Sequence, residues 1–422
     1  MKPSRRKFIR NSALLAAGAM YLPAIGAPKK EKKISDFNLA EGEEFWKLVR
    51  ASFPLSNKIA YLNNGTMGPS PYSVIEEQYK TTLDVDTTGN YGGWEEAVPA
   101  LAKFVGVDED EICLTHNVTE GINIICWGLH LKKGDEVIIT NHEHVGNALP
   151  WLNRAKVEGI VLKTVALANT AAQTLNNINA LITKKTRVIA VPHMPCTQGQ
   201  VLPVKEICAL AKEKGIYSFI DGAHGPGMLQ LDLHDMGCDF YASCCHKWML
   251  APKGTGFLYV KKEKLDEVQA RWVGGYSDTG WSLVENPTYL KGYVDTAHRF
   301  YYGSMSAPLF KGVVAAIDFH NTIGKEKIEA RVKALANHFY TRLQNIDGVE
   351  LLTPEEEKSR AAIVGFKLKN MDYNEFQVIT MQNKMRIRGV AENGLNSVRA
   401  SFHIYNTFEE SDALAELVKK TV

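Results

Sequence analysis

The chain is short of several things, and each shortage narrows the reading. Its 422 residues carry 49 Lys plus Arg against 47 Asp plus Glu, so neither sign of charge is in excess. A nucleic-acid-binding domain would show a strongly basic footprint, and none is present. There is no internal repeat and no low-complexity tract, and 45% of the residues are hydrophobic, which excludes a disordered or fibrous chain. Cysteine is sparse: seven residues, Cys113, Cys126, Cys196, Cys208, Cys238, Cys244 and Cys245, with no Cys-x-x-Cys pair. That spacing makes neither a disulfide framework nor a zinc site, so most of these read as small core residues. Also missing are Gly-x-x-x-x-Gly-Lys-Ser/Thr, Gly-x-Gly-x-x-Gly opening a helix, Gly-x-Ser-x-Gly and His-Glu-x-x-His. ATP hydrolysis, dinucleotide redox and the common hydrolase plans lose support. The length allows two or three domains.

What is present begins at the N-terminus. Residues 1–27 hold Lys2, Arg5, Arg6, Lys7 and Arg10 and no acid, followed by an apolar stretch from Ala13 to Ala27. That stretch contains Gly18 and Pro23 and is shorter than the roughly 20 residues a spanning helix needs. The layout is that of a cleaved export signal, leaving no stable membrane span. Ser4-Arg5-Arg6-Lys7-Phe8-Ile9 resembles the twin-arginine signal, whose translocon exports folded proteins. The expected location is therefore periplasmic or otherwise exported. Cleavage near Ala27 turns the small positive charge balance into a small negative one.

From residue 110 to 260 short apolar β-type runs alternate with helical stretches. The runs are Glu111 to Thr115, Glu136 to Thr140, Ile160 to Ala166, Arg187 to Pro192, Ile216 to Ile220 and Asp239 to Cys244, with helices expected at 119–130, 145–158, 174–183 and 203–214. Such alternation means a mostly parallel sheet covered on both faces. Ligands of such sheets lie beyond the carboxyl ends of the strands. After Gly324 a helix, strands near Val349 to Leu352 and Ala362 to Leu368, and a final helix after Asn406 read as a smaller α+β domain.

The residues just past the strands are specific. Asp221 ends the run Tyr217-Ser218-Phe219-Ile220 and opens Asp221-Gly222-Ala223-His224-Gly225-Pro226-Gly227; Lys247 lies further on in Ser243-Cys244-Cys245-His246-Lys247-Trp248. A lysine and an acid at one sheet edge are what a pyridoxal phosphate enzyme needs, the lysine for a Schiff base and the acid to keep the pyridine nitrogen protonated. Each alone has a plainer reading, as a helix cap or a solvated lysine.

Together with Arg399 in Val398-Arg399-Ala400-Ser401-Phe402, these segments resemble the class V aminotransferase family of fold-type I pyridoxal phosphate enzymes. Within it, Cys245-His246-Lys247-Trp248-Met249-Leu250-Ala251-Pro252 most resembles the isopenicillin N epimerase-like branch. The resemblance runs from about Tyr61 to the C-terminus. It implies an α/β fold of fold-type I, with a large, mostly parallel sheet domain and a smaller α+β domain. The expected division is signal 1–27, an N-terminal segment 28–60 packing with the small domain, a large cofactor-binding domain 61–298 and a small domain 299–422.

By the same resemblance Lys247 would hold pyridoxal 5'-phosphate, Asp221 would pair with its ring nitrogen, His144 would stack on the ring and His224 would contact the phenolic oxygen. The phosphate would lie against Val118 and Thr119, at a helix start whose free N–H groups and dipole suit a dianion. His246 would make a further phosphate contact, and Ser304 would reach the phosphate of a neighbouring subunit, which implies a homodimer. The family's serine three residues before the lysine is Cys244 here. Arg399 would bind the substrate α-carboxylate, a task that suits its planar fork. No metal site is expected, a His142–His144 pair having no apparent third ligand.

The shared chemistry is abstraction of the α-proton of an amino acid by the freed lysine, and the fate of the resulting carbanion decides the reaction. The expectation is an epimerase-like or aminotransferase enzyme, with Tyr276, Tyr301 and Tyr302 as candidates for a second acid. The alternatives are a C–S or other β-lyase of the desulfurase kind, or a non-enzymatic binding protein on the same fold. Desulfurases of the family use a cysteine on a C-terminal-domain loop, and no cysteine comes after Cys245, so only Cys196, Cys244 or Cys245 could serve.

Overall fold

The computed structural model describes residues 41–422; the expected export signal lies outside the described residues. The central sheet has seven strands: β1 (Ile112–Thr115), β2 (Glu136–Thr140), β3 (Val161–Val165), β4 (Thr186–Pro192), β5 (Tyr217–Asp221), β6 (Phe240–Cys244) and β7 (Gly256–Val260). Their order is β1-β7-β6-β5-β4-β2-β3. All neighbours run parallel except β7, which is antiparallel to both β1 and β6. Strands β1, β2, β6 and β7 are buried along their whole length, as expected of continuous apolar runs covered on both faces. Among the described residues no helix is long and apolar enough to cross a membrane.

Local chemistry sets the helix starts. Helix α1 (Val118–Gly128) begins at Asn117, whose side chain accepts from Glu120 N; α2 (Val145–Glu158) begins at His144, whose ring accepts from Gly146 N. Thr170 caps the helix Ala171–Leu181 in the same way, which starts it three residues before the expected 174. A side-chain acceptor at the N-cap satisfies an otherwise orphan amide.

A second sheet is built from β8 (Val349–Leu351), β9 (Ile363–Leu368), β10 (Arg388–Val390) and β11 (Ser397–Ser401), in the antiparallel order β8-β9-β11-β10. Its core includes Leu335, Phe339, Phe366, Phe376 and Phe402, and it takes in Leu62. The segment Ala60–Tyr61 pairs in parallel with Met385–Arg386. The larger core, around the seven strands, takes in Phe310, Val313 and Ile317 of the helix Ala307–Ile323.

Two loops leave neighbouring strands β5 and β6 at the same sheet edge. They are tied by Gly222 N to Ala242 O at 2.7 Å and by Ser243 Oγ to Gly222 O at 2.8 Å. The buried Tyr241 ring lies under the first loop: a Cβ on Gly222 would sit 1.9 Å from Tyr241 Cε1, and one on Gly225 2.2 Å from Tyr241 Oη. Glycine is needed there because the ring fills the space any side chain would use. Gly222→Ala should therefore destabilise the protein by about 1–3 kcal/mol or more through overpacking, read as a lowered midpoint in denaturant unfolding; an unchanged midpoint would mean that this packing is not tight.

Candidate active site

The two strand-end loops put Asp221, His224 and Lys247 together. Asp221 is 5% exposed, and its Oδ1 accepts from Ala223 N at 3.0 Å. Burial pushes its carboxyl up, against the pull of that amide and of the Lys247 charge. His224 is buried, with Nε2 3.3 Å from Lys247 Nζ and Nδ1 3.0 Å from Trp248 Nε1. The lysine loop is covered by the segment after Tyr61. Gly68 N donates to His246 O at 2.9 Å, and a Cβ on Gly68 would fall 2.1 Å from Lys247 O.

His144 stands at the start of α2, half-buried, its Nδ1 accepting from Gly146 N at 3.1 Å. Burial, with the positive charge of Lys247 next in weight, lowers its pKa to about 4. A neutral ring with a lone pair committed to the backbone suits stacking on an aromatic cofactor. It sits close to the start of α1, since a Cβ on Gly146 would lie 2.6 Å from Thr119 Oγ1 and 3.1 Å from His144 Nδ1. His142 makes a different contact, Nδ1 to Thr197 Oγ1 at 2.8 Å. Asn117, rather than Thr119, caps α1, so the N–H groups of Val118 and Thr119 have no acceptor within the helix.

His246 holds its Nδ1 buried without a hydrogen-bond partner, and burial lowers its pKa to about 4. Cys244 turns its thiol toward Ala223 O, 3.9 Å away. Ser304 is exposed. A cavity of about 490 Å³ lies between the start of α1 and the segment leading to Ser304, lined by Thr119, Trp127, Trp272, Phe300 and Tyr302. Of the candidate second acids, Tyr301 is committed elsewhere, its hydroxyl accepting from Leu114 N at 3.3 Å.

Arg399 comes from β11 and is 2% exposed. It donates from Nη1 to Cys196 O and from Nη2 to Thr66 Oγ1 at 3.1 Å, leaving Nε buried and unpartnered. Burial lowers its pKa to about 10. Arg388 lies directly opposite on β10, paired with Glu392 and with its own Nη1 unpartnered. Sequence reasoning missed Arg388; its signal was the pair of arginines that antiparallel registry places side by side. It also missed Trp248, the donor to His224.

The model of the family described as aminotransferase class-V matches residues 82–414. The chain belongs to the aminotransferase class-V family. A cysteine desulfurase of Haloferax volcanii is 31% identical over 389 residues, covering 85% of this chain and 88% of that protein. A probable cysteine desulfurase of Methanothermobacter thermautotrophicus is 28% identical over 401 residues, covering 88% and 97%. Among solved structures, the apo cysteine desulfurase of Thermococcus onnurineus NA1 superposes with a TM-score of 0.80 at 26% identity, covering 89% of this chain and 97% of that one. A cystine C-S lyase in complex with its product cysteine persulfide gives 0.79 at 26%, covering 87% and 99%. A variant of the latter enzyme has glycine covalently linked to its PLP cofactor and gives 0.79 at 25%, covering 88% and 98%.

This class-V chain is thus a fold-type I, pyridoxal phosphate-dependent enzyme, and its residues fit the cofactor. The orphan His246 Nδ1 and the free N–H groups of Val118 and Thr119 suit the phosphate, buried Asp221 suits a ring N–H, and neutral His144 suits the ring face. The expected epimerase or aminotransferase activity is overturned, because the relatives matching nearly the whole chain are cysteine desulfurases. The Cys245–Pro252 segment misled because it reports the loop that holds the lysine, which enzymes of different outcome share.

The histidines also predict a pH dependence. His144, His193 and His246 are lowered to about 4 and His403 to about 3, burial being the first cause in each. Between these values and the ordinary histidine value the unfolded chain binds more protons, so stability rises with pH there. Glu143, raised to about 7 by burial, and Asp221, also raised by burial, oppose this. Denaturant midpoints should therefore fall as pH drops from about 6.5 toward 4; midpoints that rise over that window would contradict the buried neutral histidines.

Proposed function

We propose that the protein is a pyridoxal phosphate-dependent carbon–sulfur lyase that eliminates the β-sulfur substituent of a cysteine-type amino acid. The names of the relatives support C–S chemistry. The observation that carries elimination, rather than attack by a protein thiol, is the state of the cysteines beside the lysine. Cys244 and Cys245 are buried, and desolvation first of all pushes both thiols up, whereas a nucleophilic cysteine needs its thiolate.

Bound pyridoxal phosphate supplies an electron-poor ring that accepts the electron pair left when the α-proton departs. Asp221 holds the ring-nitrogen proton that makes this ring electron-poor. Val118, Thr119 and His246 would anchor the phosphate, and His144 would cover one face of the ring. Arg399 takes the α-carboxylate with its unpartnered Nε, which fixes the α-hydrogen relative to Lys247. Lys247 Nζ would be the base that receives that proton. The β-sulfur would leave with the C–S electron pair as a thiol, and hydrolysis of the freed enamine by water would give keto acid and ammonia.

A second reading is desulfuration through Cys196, whose carbonyl oxygen accepts from Arg399 Nη1. Products separate the two. Holoenzyme given L-cysteine or L-cystine should release pyruvate and ammonia; alanine formation that disappears in Cys196→Ser would instead support thiol attack, and neither product would sink C–S chemistry. Lys247→Ala should lose at least about 10²-fold in rate, the scale of a lost general base.

Export and a homodimer are part of the same proposal. The twin-arginine-like segment supports the first, and the exposed Trp272, Trp281, Leu283 and Val284 support the second, since large exposed apolar patches mark interaction sites. Light scattering should give twice the chain mass, and Trp281→Glu should lower it; a monomer would refute the dimer.

A further inference from the structure

Trp248 follows Lys247 and is 1% exposed. Its indole Nε1–H donates to His224 Nδ1 at 3.0 Å. An indole nitrogen only donates, so Nδ1 must offer its lone pair, and the one proton of a neutral imidazole then sits on Nε2. His224 is neutral because burial, the first cause, holds it well below the ordinary value. Its Nε2–H therefore faces Lys247 Nζ at 3.3 Å. A hydrogen bond across that gap requires a lone pair on Nζ, since an ammonium would set N–H against N–H.

Trp248 is itself immobilised. Its carbonyl accepts from His403 Nε2 at 2.9 Å and faces His320 Nε2 at 3.1 Å. His403 Nδ1 accepts from Ile404 N at 2.8 Å, which leaves its proton on Nε2 for this bond. The Trp248 ring stacks on His403, with centroids 5.8 Å apart and planes at 23°, and His403 stacks in turn on Tyr405 at 5.7 Å and 9°. Behind the carbonyl there is no slack, because a Cβ on Gly227 would lie 2.4 Å from Trp248 O.

We propose that Trp248 is a positioning residue: it fixes the tautomer of His224 with the proton on Nε2, and His224 in turn supplies Lys247 Nζ with a hydrogen-bond donor that orients it. The second half rests on reading Lys247 as the lysine that binds the cofactor; the first half does not. No proton changes owner in the resting arrangement. The groups that bear on the His224–Lys247 pair are Asp221, His144, Arg388 and Arg399.

Two measurements on the full chain test this. In ¹⁵N-histidine protein, with His224→Gln used to assign the signal, His224 should show an unprotonated Nδ1 and a protonated Nε2; the reverse tautomer would overturn the proposal without reference to any cofactor. The second measures uptake of pyridoxal 5'-phosphate by its visible band. Trp248→Phe keeps the stacking ring and removes only the N–H, so uptake should slow about tenfold, the scale of one lost hydrogen bond. In a His224→Gln background the amide supplies an N–H without a tautomer, so Trp248→Phe should then have little effect, a coupling visible in the double-mutant cycle. Equal slowing in both backgrounds would mean that Trp248 acts only through packing. Should Trp248→Phe fail to fold, the wild-type tautomer still decides. Uptake unaffected by Lys247→Ala, with the Nε2 tautomer found, would fault the role of Lys247 and leave the Trp248–His224 relation standing.

Discussion

The candidate active site depends on one steric constraint: two loops leaving adjacent strands must close over the ring of Tyr241. Glycine at 222 and 225 lets the Asp221–Gly227 loop lie on that ring, and the Ser243 hydroxyl and the Ala242 carbonyl hold the same loop to β6. The Tyr241 hydroxyl is in turn bonded to His193 Nδ1 at 3.0 Å, and His193 N to Asp221 O at 2.8 Å. Asp221, His224 and Lys247 are thus placed relative to one another by backbone fit, with no long flexible side chain carrying the geometry. A site held this way keeps the tolerance of a few tenths of an ångström that catalysis asks of its groups.

Burial then sets the charges. Arg388 and Arg399 face each other across β10 and β11, each with an unpartnered nitrogen. These arginines give the site a positive field, answered by Asp221 and by Glu392, which pairs with Arg388. Desolvation and that field keep the nearby histidines neutral, so they act as stacking surfaces and as donors or acceptors of fixed sense. Anionic groups, a phosphate at one end and a carboxylate at the other, are what such a field selects.

Much of this is legible in the sequence because buried parallel strands are written as apolar runs, and the groups past their ends stand out. Glu136–Thr140 and Val145–Glu158 match their expected bounds, and Asp221, His224 and Lys247 stand out for this reason. The helix Tyr72–Thr88 does not, because only Val74 and Thr81 along it are buried, which leaves no clear apolar stripe. Strand β10 is three residues long, too short for a periodic signal, so nothing local marks Arg388. The Trp248–His224 bond joins positions 24 apart through two loops whose mutual approach follows from strand pairing rather than from any local pattern. The choice of reaction is illegible for a different reason: the lysine, acid and arginine are common to every outcome, and their motifs carry no information on which bond breaks next.

The central claim, that Lys247 is the residue around which the site is built, is tested most directly by reducing the holoenzyme with borohydride and mapping its peptides by mass. A single pyridoxyl phosphate adduct is expected on the peptide carrying Cys245-His246-Lys247-Trp248, localised to Lys247. An adduct on another lysine, or none in protein that has bound the cofactor, would contradict it.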